Sequence, residues 1–207
     1  MRHAEGTRRI ARVISKLLHP YVCLPIVVAL IAYGASPNPG LWIKWTMAAL
    51  LPAYLFPLLY VRAKVALVAE TTGAQVTLRS LPQVFRDRPN DLSIMSCLFG
   101  IPSVLILYFL SSPLGIIATL VGATATTLLI AQVNRIYRAS FHLAFLTSMA
   151  LSLGVILGLP WLVIAPFIVL LGLSRYHLGH HTPAQLGVGL LIGLAVTIPI
   201  LNAFGFV

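Results

Sequence analysis

Acidic side chains are nearly missing from this chain: four Asp and Glu stand against 14 Lys and Arg in 207 residues. Charge of either sign is scarce, at 9% of residues, while 59% are hydrophobic. A soluble domain of this length has too little interior to hide so much apolar side chain, so the bilayer is the expected solvent. The basic excess does not mark a nucleic-acid binder, because the Arg residues sit in short gaps between apolar runs rather than on a soluble face. Only two cysteines occur, Cys23 and Cys97, both inside apolar runs. They are expected to be small hydrophobes, with no disulfide and no metal. The chain shows no convincing repeat and no low-complexity tract. No small-residue cleavage pattern follows its first apolar run, which therefore reads as a span rather than a secretory signal.

What the chain does have is a series of apolar runs of nearly bilayer length. They cover Tyr21–Ala35, Leu41–Val61, Leu92–Leu110, Leu114–Val133, Phe141–Leu157, Trp161–Leu173 and Leu186–Phe206. Proline-containing gaps such as Ser111-Ser112-Pro113 and Gly158-Leu159-Pro160 predict tight helical hairpins between them. The expected fold is all-α: a polytopic transmembrane bundle of about six or seven spans. Residues 1–19 form a basic amphipathic segment before it, and 20–207 a single transmembrane domain. Within that segment Ile10, Val13, Ile14, Leu17 and Leu18 share one helical face, with Arg8, Arg9, Arg12 and Lys16 mostly elsewhere. That pattern predicts a helix lying flat on an anionic leaflet.

Seven spans place the N-terminal tail, the Arg62–Asn90 connection, the Asn134–Ser140 gap and the Ser174–Gln185 patch on one side. Thirteen of the 14 Lys and Arg fall there, and Lys44 alone falls opposite. The positive-inside rule makes the richer side cytoplasmic. Trp42, Trp45 and Trp161 fall near span ends on the other side, as an aromatic belt would.

Ionisable groups at membrane depth are costly, so they are functional candidates. Three clusters lie on the basic side: Phe85-Arg86-Asp87-Arg88-Pro89, Arg138-Ala139-Ser140-Phe141-His142, and Ser174-Arg175 with His181. Guanidinium forks hold phosphoryl oxygens and stabilise transition-state charge. One His can attack phosphorus while another protonates the leaving alkoxide. His177, His180 and His181 also suggest an iron box, but a di-iron site needs further His or carboxylate ligands that this chain lacks. His19, next to Pro20, is expected to be an interfacial His without chemistry.

In order and spacing the three clusters resemble the signatures of the type 2 phosphatidic acid phosphatase superfamily, which includes the vanadium haloperoxidases. Those signatures are Lys, six residues, Arg-Pro; then Pro-Ser-Gly-His; then Ser-Arg, five residues, His, three residues, Asp. Arg88-Pro89 closes the first, with Arg86 two residues earlier; Ser140 and His142 match the second; Ser174, Arg175 and His181 match the third. The motifs lie at 81–89, 138–142 and 174–185. The resemblance implies His181 as the nucleophile and His142 as the general acid. It implies Arg88 and Arg175 as the phosphate ligands, helped by Ser140, with the matched Arg86 and Ser174 beside them, and no metal or other cofactor. Leu81 stands where Lys is expected, Ala139 and Phe141 flank Ser140, and Gln185 replaces the last Asp. These features resemble a bacterial subgroup in which this Gln and an Arg-rich first motif recur; Gln185 is expected to orient His181, and Arg138, one helical turn before His142, to supply the cation missing at Leu81.

The expected protein is an integral protein of the bacterial cytoplasmic membrane with its N-terminus inside. Its expected activity is hydrolysis of a lipid or isoprenoid phosphate or diphosphate through a phosphohistidine. The alternative is a degenerate relative serving as a structural or lipid-binding membrane subunit. Expected partners are membrane lipids and the lipid or prenyl phosphate, with no nucleic acid. A homo-oligomer or a membrane-complex partner stays open.

Overall fold

In the computed structural model residues 2–72 and 89–207 are described, less the side chains at 2–5, 68, 69, 71, 72, 89, 90, 92, 161, 162 and 164. Among the described residues the architecture is all-helical. The helices are α1 (Arg2–Leu17), α2 (Pro20–Gly34), α3 (Pro39–Thr72), α4 (Pro89–Phe109), α5 (Leu114–Val133), α6 (Phe141–Leu157), α7 (Trp161–His177) and α8 (Pro183–Ala203).

Proline and capping residues set the boundaries. Pro20 and Pro183 stand in the first turns of α2 and α8, where the missing N–H has no intrahelical partner to lose. Thr182 and Gln185 close a reciprocal capping box on α8. Gly158 ends α6 in the left-handed region at φ 65°. The bounds of α5 and α6 match the apolar runs, whereas α3 continues eleven residues beyond Val61 to Thr72. A polar sequence does not stop a helix that lacks Pro or Gly, so Arg62 and Lys64 lie on α3 rather than in a connection.

Three helices are long and apolar enough to cross a membrane, or four if the pair α1–α2, bent by 48°, counts as one span. The sequence pattern gives seven. The difference is one of length: α2 has 15 residues, α6 and α7 have 17 each, and the apolar part of α4, Ser93–Phe109, is also short, so each rises only about 22–26 Å. Large apolar side chains face outward along the bundle, among them Leu51, Leu55, Leu105, Phe109 and Leu191. So wide an apolar surface needs a covering that is itself apolar.

Cross-helix contacts give the register. Trp42 Nε1 donates to the Ala29 carbonyl at 2.9 Å and the Tyr54 hydroxyl to the Tyr21 carbonyl at 2.8 Å, which pairs α2 and α3 antiparallel. Trp45, expected in an aromatic belt, is 7% exposed and packs in the core. At the opposite end of α3, Asp91 Oδ1 accepts from the Tyr60 hydroxyl at 2.6 Å and pairs with Lys64 Nζ at 3.1 Å, fastening α4 to α3. Gln132 Nε2 reaches Ser93 Oγ at 3.0 Å, so α5 returns antiparallel to α4. Thr197 Oγ1 donates to Ser148 Oγ at 2.8 Å in the buried seam between α8 and α6.

Helix α6 is the centre of the bundle, with every residue from Leu143 to Ser152 buried and with α2, α5, α7 and α8 around it. It runs parallel to α8 at very close approach. A Cβ on Gly189 would stand 2.5 Å from the Ser140 carbonyl oxygen, and one on Gly193 2.6 Å from that of Ala144. Only glycine lets the backbones meet so closely, as small residues do in membrane helix pairs. This pairing sets the starts of α6 and α8 side by side.

Candidate functional site

The starts of α2, α6 and α8 and the end of α7 meet at one end of the bundle. Three helix N-termini therefore gather there, each adding a partial positive charge. The Ser140 N–H, at the cap of α6, donates to the Gln185 carbonyl in the first turn of α8 at 3.1 Å. That bond ties the second motif directly to the third.

His181 lies in the short link between α7 and α8. A backbone turn through Gly179, at φ 69°, gives the chain the room to reverse there. His181 Nδ1 is 3.3 Å from Gln185 Oε1, and the same oxygen accepts the Thr182 N–H at 3.1 Å. A backbone N–H can only donate, so the amide is oriented with its oxygen inward. An amide oxygen can only accept, so Nδ1 carries the imidazole proton and Nε2 keeps its lone pair. The neutral Gln185 thus fixes the tautomer that a carboxylate would fix, without adding negative charge.

Arg175, at the end of α7, is half-buried, and its charge reaches His19, His142, His180 and His181. Its Nη1 meets Ser15 Oγ at 3.3 Å, while Nε is buried without a partner. Beside it Ser174 is 3% exposed and donates to the Ala11 carbonyl at 2.6 Å. Ser174 and Arg175 therefore hold α1 against α7, and the Ser174 hydroxyl is spent on that backbone contact. Ser140 is fully buried and its hydroxyl has no partner. Arg138 is exposed in the link before α6, close enough for its charge to act on His180 and His181. That link is held by the Ala139 N–H, which donates to Asn134 Oδ1 at 2.7 Å.

Burial pushes His181 below the ordinary imidazole range, and the Arg175 guanidinium pushes it further; the hydrogen bond to Gln185 opposes both. His180 moves in the same direction, by burial and then by Arg175 and Arg138. His19 does so by burial and then by Arg175. All three favour the neutral form, which is the form that can attack phosphorus or donate without charge.

The expectation that His19 lacks chemistry meets a different arrangement. Its ring centroid is 4.8 Å from that of His142, edge to face at 80°. Nothing in the sequence near His19 signals this contact, which joins helices far apart in the chain; only the His-Pro pair at a helix start marks the position. His177 is exposed and packs on Tyr176 at 5.8 Å. Among the described residues no group of three or more His, Cys, Asp or Glu gathers in a way that could hold a metal ion. Arg86, Arg88 and Leu81 of the first motif lie outside the described residues.

An apolar cavity of about 400 Å³ adjoins this end of the bundle. Its walls come from α2 through α6 and include Tyr21, Leu24, Ala53, Tyr54, Phe141 and Phe145. Tyr21 lies two residues after His19 in the chain, and Phe141 directly precedes His142, so the cavity begins on the same helix starts that carry the imidazoles. Its size is that of a small-ligand pocket. Compared with protein-family models, with curated proteins and with solved structures, the chain finds no match.

Proposed function

We propose that this chain is a membrane phosphatase of the type 2 phosphatidic acid phosphatase kind, acting on a lipid or isoprenoid phosphate or diphosphate. The observation that carries the reading is the gathering of His181, His142 and Arg175 at one end of the bundle, the end where α2 and α6 also contribute Tyr21 and Phe141 to an apolar cavity. A phosphate on a hydrocarbon chain has two halves that need such opposite surroundings.

In this reading His181 Nε2 attacks phosphorus while Gln185 holds the proton on Nδ1. The ester P–O bond breaks, and His142 delivers a proton to the leaving alkoxide. The phosphoryl group, as a dianion beside His142, supplies the counter-charge under which that imidazole is protonated. Water then attacks the phosphohistidine with His142 as base, releasing phosphate and restoring His181. Arg175, Arg138 and the N-termini of α6 and α8 bind the phosphoryl oxygens, with Arg86 and Arg88 assigned to the same task by the motif resemblance. Ser140, whose buried hydroxyl lacks a protein partner, is the candidate donor from the second motif. The hydrocarbon chain occupies the cavity beside Tyr21 and Phe145.

The membrane arrangement belongs to the same proposal. Helices α2–α8 cross the bilayer in alternation, and α1 lies at the cytoplasmic surface. Its exposed Ile10, Val13 and Leu17 would enter the leaflet, and Arg8, Arg9, Arg12 and Lys16 would meet lipid phosphates. A chelator-treated preparation should release phosphate from a lipid-phosphate panel in detergent micelles. His181→Ala should abolish release, and His142→Ala should slow it by about 10²–10⁴-fold on an alkyl phosphate. Equal release from all three proteins, or none from any, would favour the lipid-binding subunit instead.

A further inference from the structure

We propose that His19 is a positioning residue for His142, an inference that rests on the phosphatase reading. One hydrogen bond to its ring defines its tautomer. His19 caps α2, and its Nδ1 accepts the Tyr21 N–H at 3.3 Å. Since that N–H can only donate, Nδ1 holds a lone pair and the ring proton lies on Nε2. The backbone on either side is also fixed, by the His19 N–H to Lys16 carbonyl bond at 3.3 Å and the Cys23 N–H to His19 carbonyl bond at 3.0 Å. The ring stacks on Tyr21 at 5.4 Å and 16°. It is therefore a rigid plate rather than a rotating side chain.

His142 meets that plate edge to face at 4.8 Å, and meets Phe141 edge to face at 6.0 Å. These two rings restrict the turning of the His142 imidazole. The restriction matters because a general acid works only within hydrogen-bond reach of the leaving oxygen, and small misplacements cost large factors in rate. The charge of Arg175, which acts on both imidazoles, gives a second reason for a neutral neighbour. A cation in place of His19 would oppose the protonation that His142 must undergo.

The test separates this role from capping, and from the phosphatase reading itself. Asn and Ser are both good N-caps, so His19→Asn and His19→Ser keep an acceptor for the Tyr21 N–H while removing the ring. Two substrates are compared in micelles: dodecyl phosphate, whose alkoxide needs a proton, and 4-nitrophenyl phosphate, whose phenolate leaves without one. Both variants should unfold at the wild-type temperature. On dodecyl phosphate kcat/KM should fall about tenfold; on 4-nitrophenyl phosphate kcat/KM, which ends at the phosphohistidine and so leaves out the water attack that also uses His142, should stay within about twofold.

An equal fall on both substrates, or no fall on either, overturns the positioning role while leaving the phosphatase reading intact. So does a loss that appears in His19→Ala and not in the two capping variants. Absence of His181-dependent release from wild-type protein overturns both readings together.

Discussion

At the scale of single residues, Gln185 determines what the site can do. One oxygen of its side chain accepts from Thr182 and from His181, so helix capping and the His181 tautomer depend on the same atom. The pH profile should report this. His181 lies below its ordinary value of 6.5, so its neutral form persists further into acid. The acid limb of the proposed phosphatase activity is therefore expected below pH 6.5. Gln185→Glu keeps the capping box and adds a carboxylate, which favours the imidazolium. That variant should move the acid limb upward by about one pH unit, measured as kcat/KM against pH. An unmoved limb would separate His181 from the rate. The motif letters that suggested this site could be read from sequence because each is a residue type tied to phosphoryl chemistry. The Ser174 bond to Ala11 could not, because its partner lies 163 residues away and is a backbone carbonyl.

At the scale of elements, the helices were legible wherever composition and punctuation agreed. Leu114–Val133 and Phe141–Leu157 are mostly apolar and free of charged residues and end in Gly, Pro or polar links, and the structure has the same bounds. Beyond Val61 the polar residues implied a connection, but backbone propensity carried α3 onward to Thr72. The cavity was illegible in its detail, since five helices contribute to its walls and no local pattern records their packing. Ala53, buried on α3 and in the cavity wall, offers a direct test of what the space holds. Ala53→Phe should raise KM about tenfold for a long-chain phosphate, the equivalent of losing burial for roughly two methylenes. On 4-nitrophenyl phosphate its rate should remain near wild type. Equal loss on both substrates would mean that the substitution disturbs the bundle rather than the chain site.

At the scale of the whole molecule, charge and helix direction make one joint statement about orientation. The ends of the helices that carry Arg138, Arg175 and His181 are also the ends beside the basic α1. In intact bacterial cells, Lys44→Cys should react with a membrane-impermeant maleimide. Arg138→Cys should react only after the membrane is opened. Labelling in the opposite order would invert the protein. The tether between the two ends of the chain has a consequence for synthesis. Ser174 and Arg175 meet Ala11 and Ser15 across separations of 163 and 160 residues. The first helix leaves the ribosome long before its partners, and these bonds cannot form until α7 has emerged and taken its place. His181 and Gln185 emerge later still. Completion of the candidate site is thus among the last events in the maturation of the chain, and an interrupted or wrongly inserted chain contains the early His19 and His142 without His181 and Gln185.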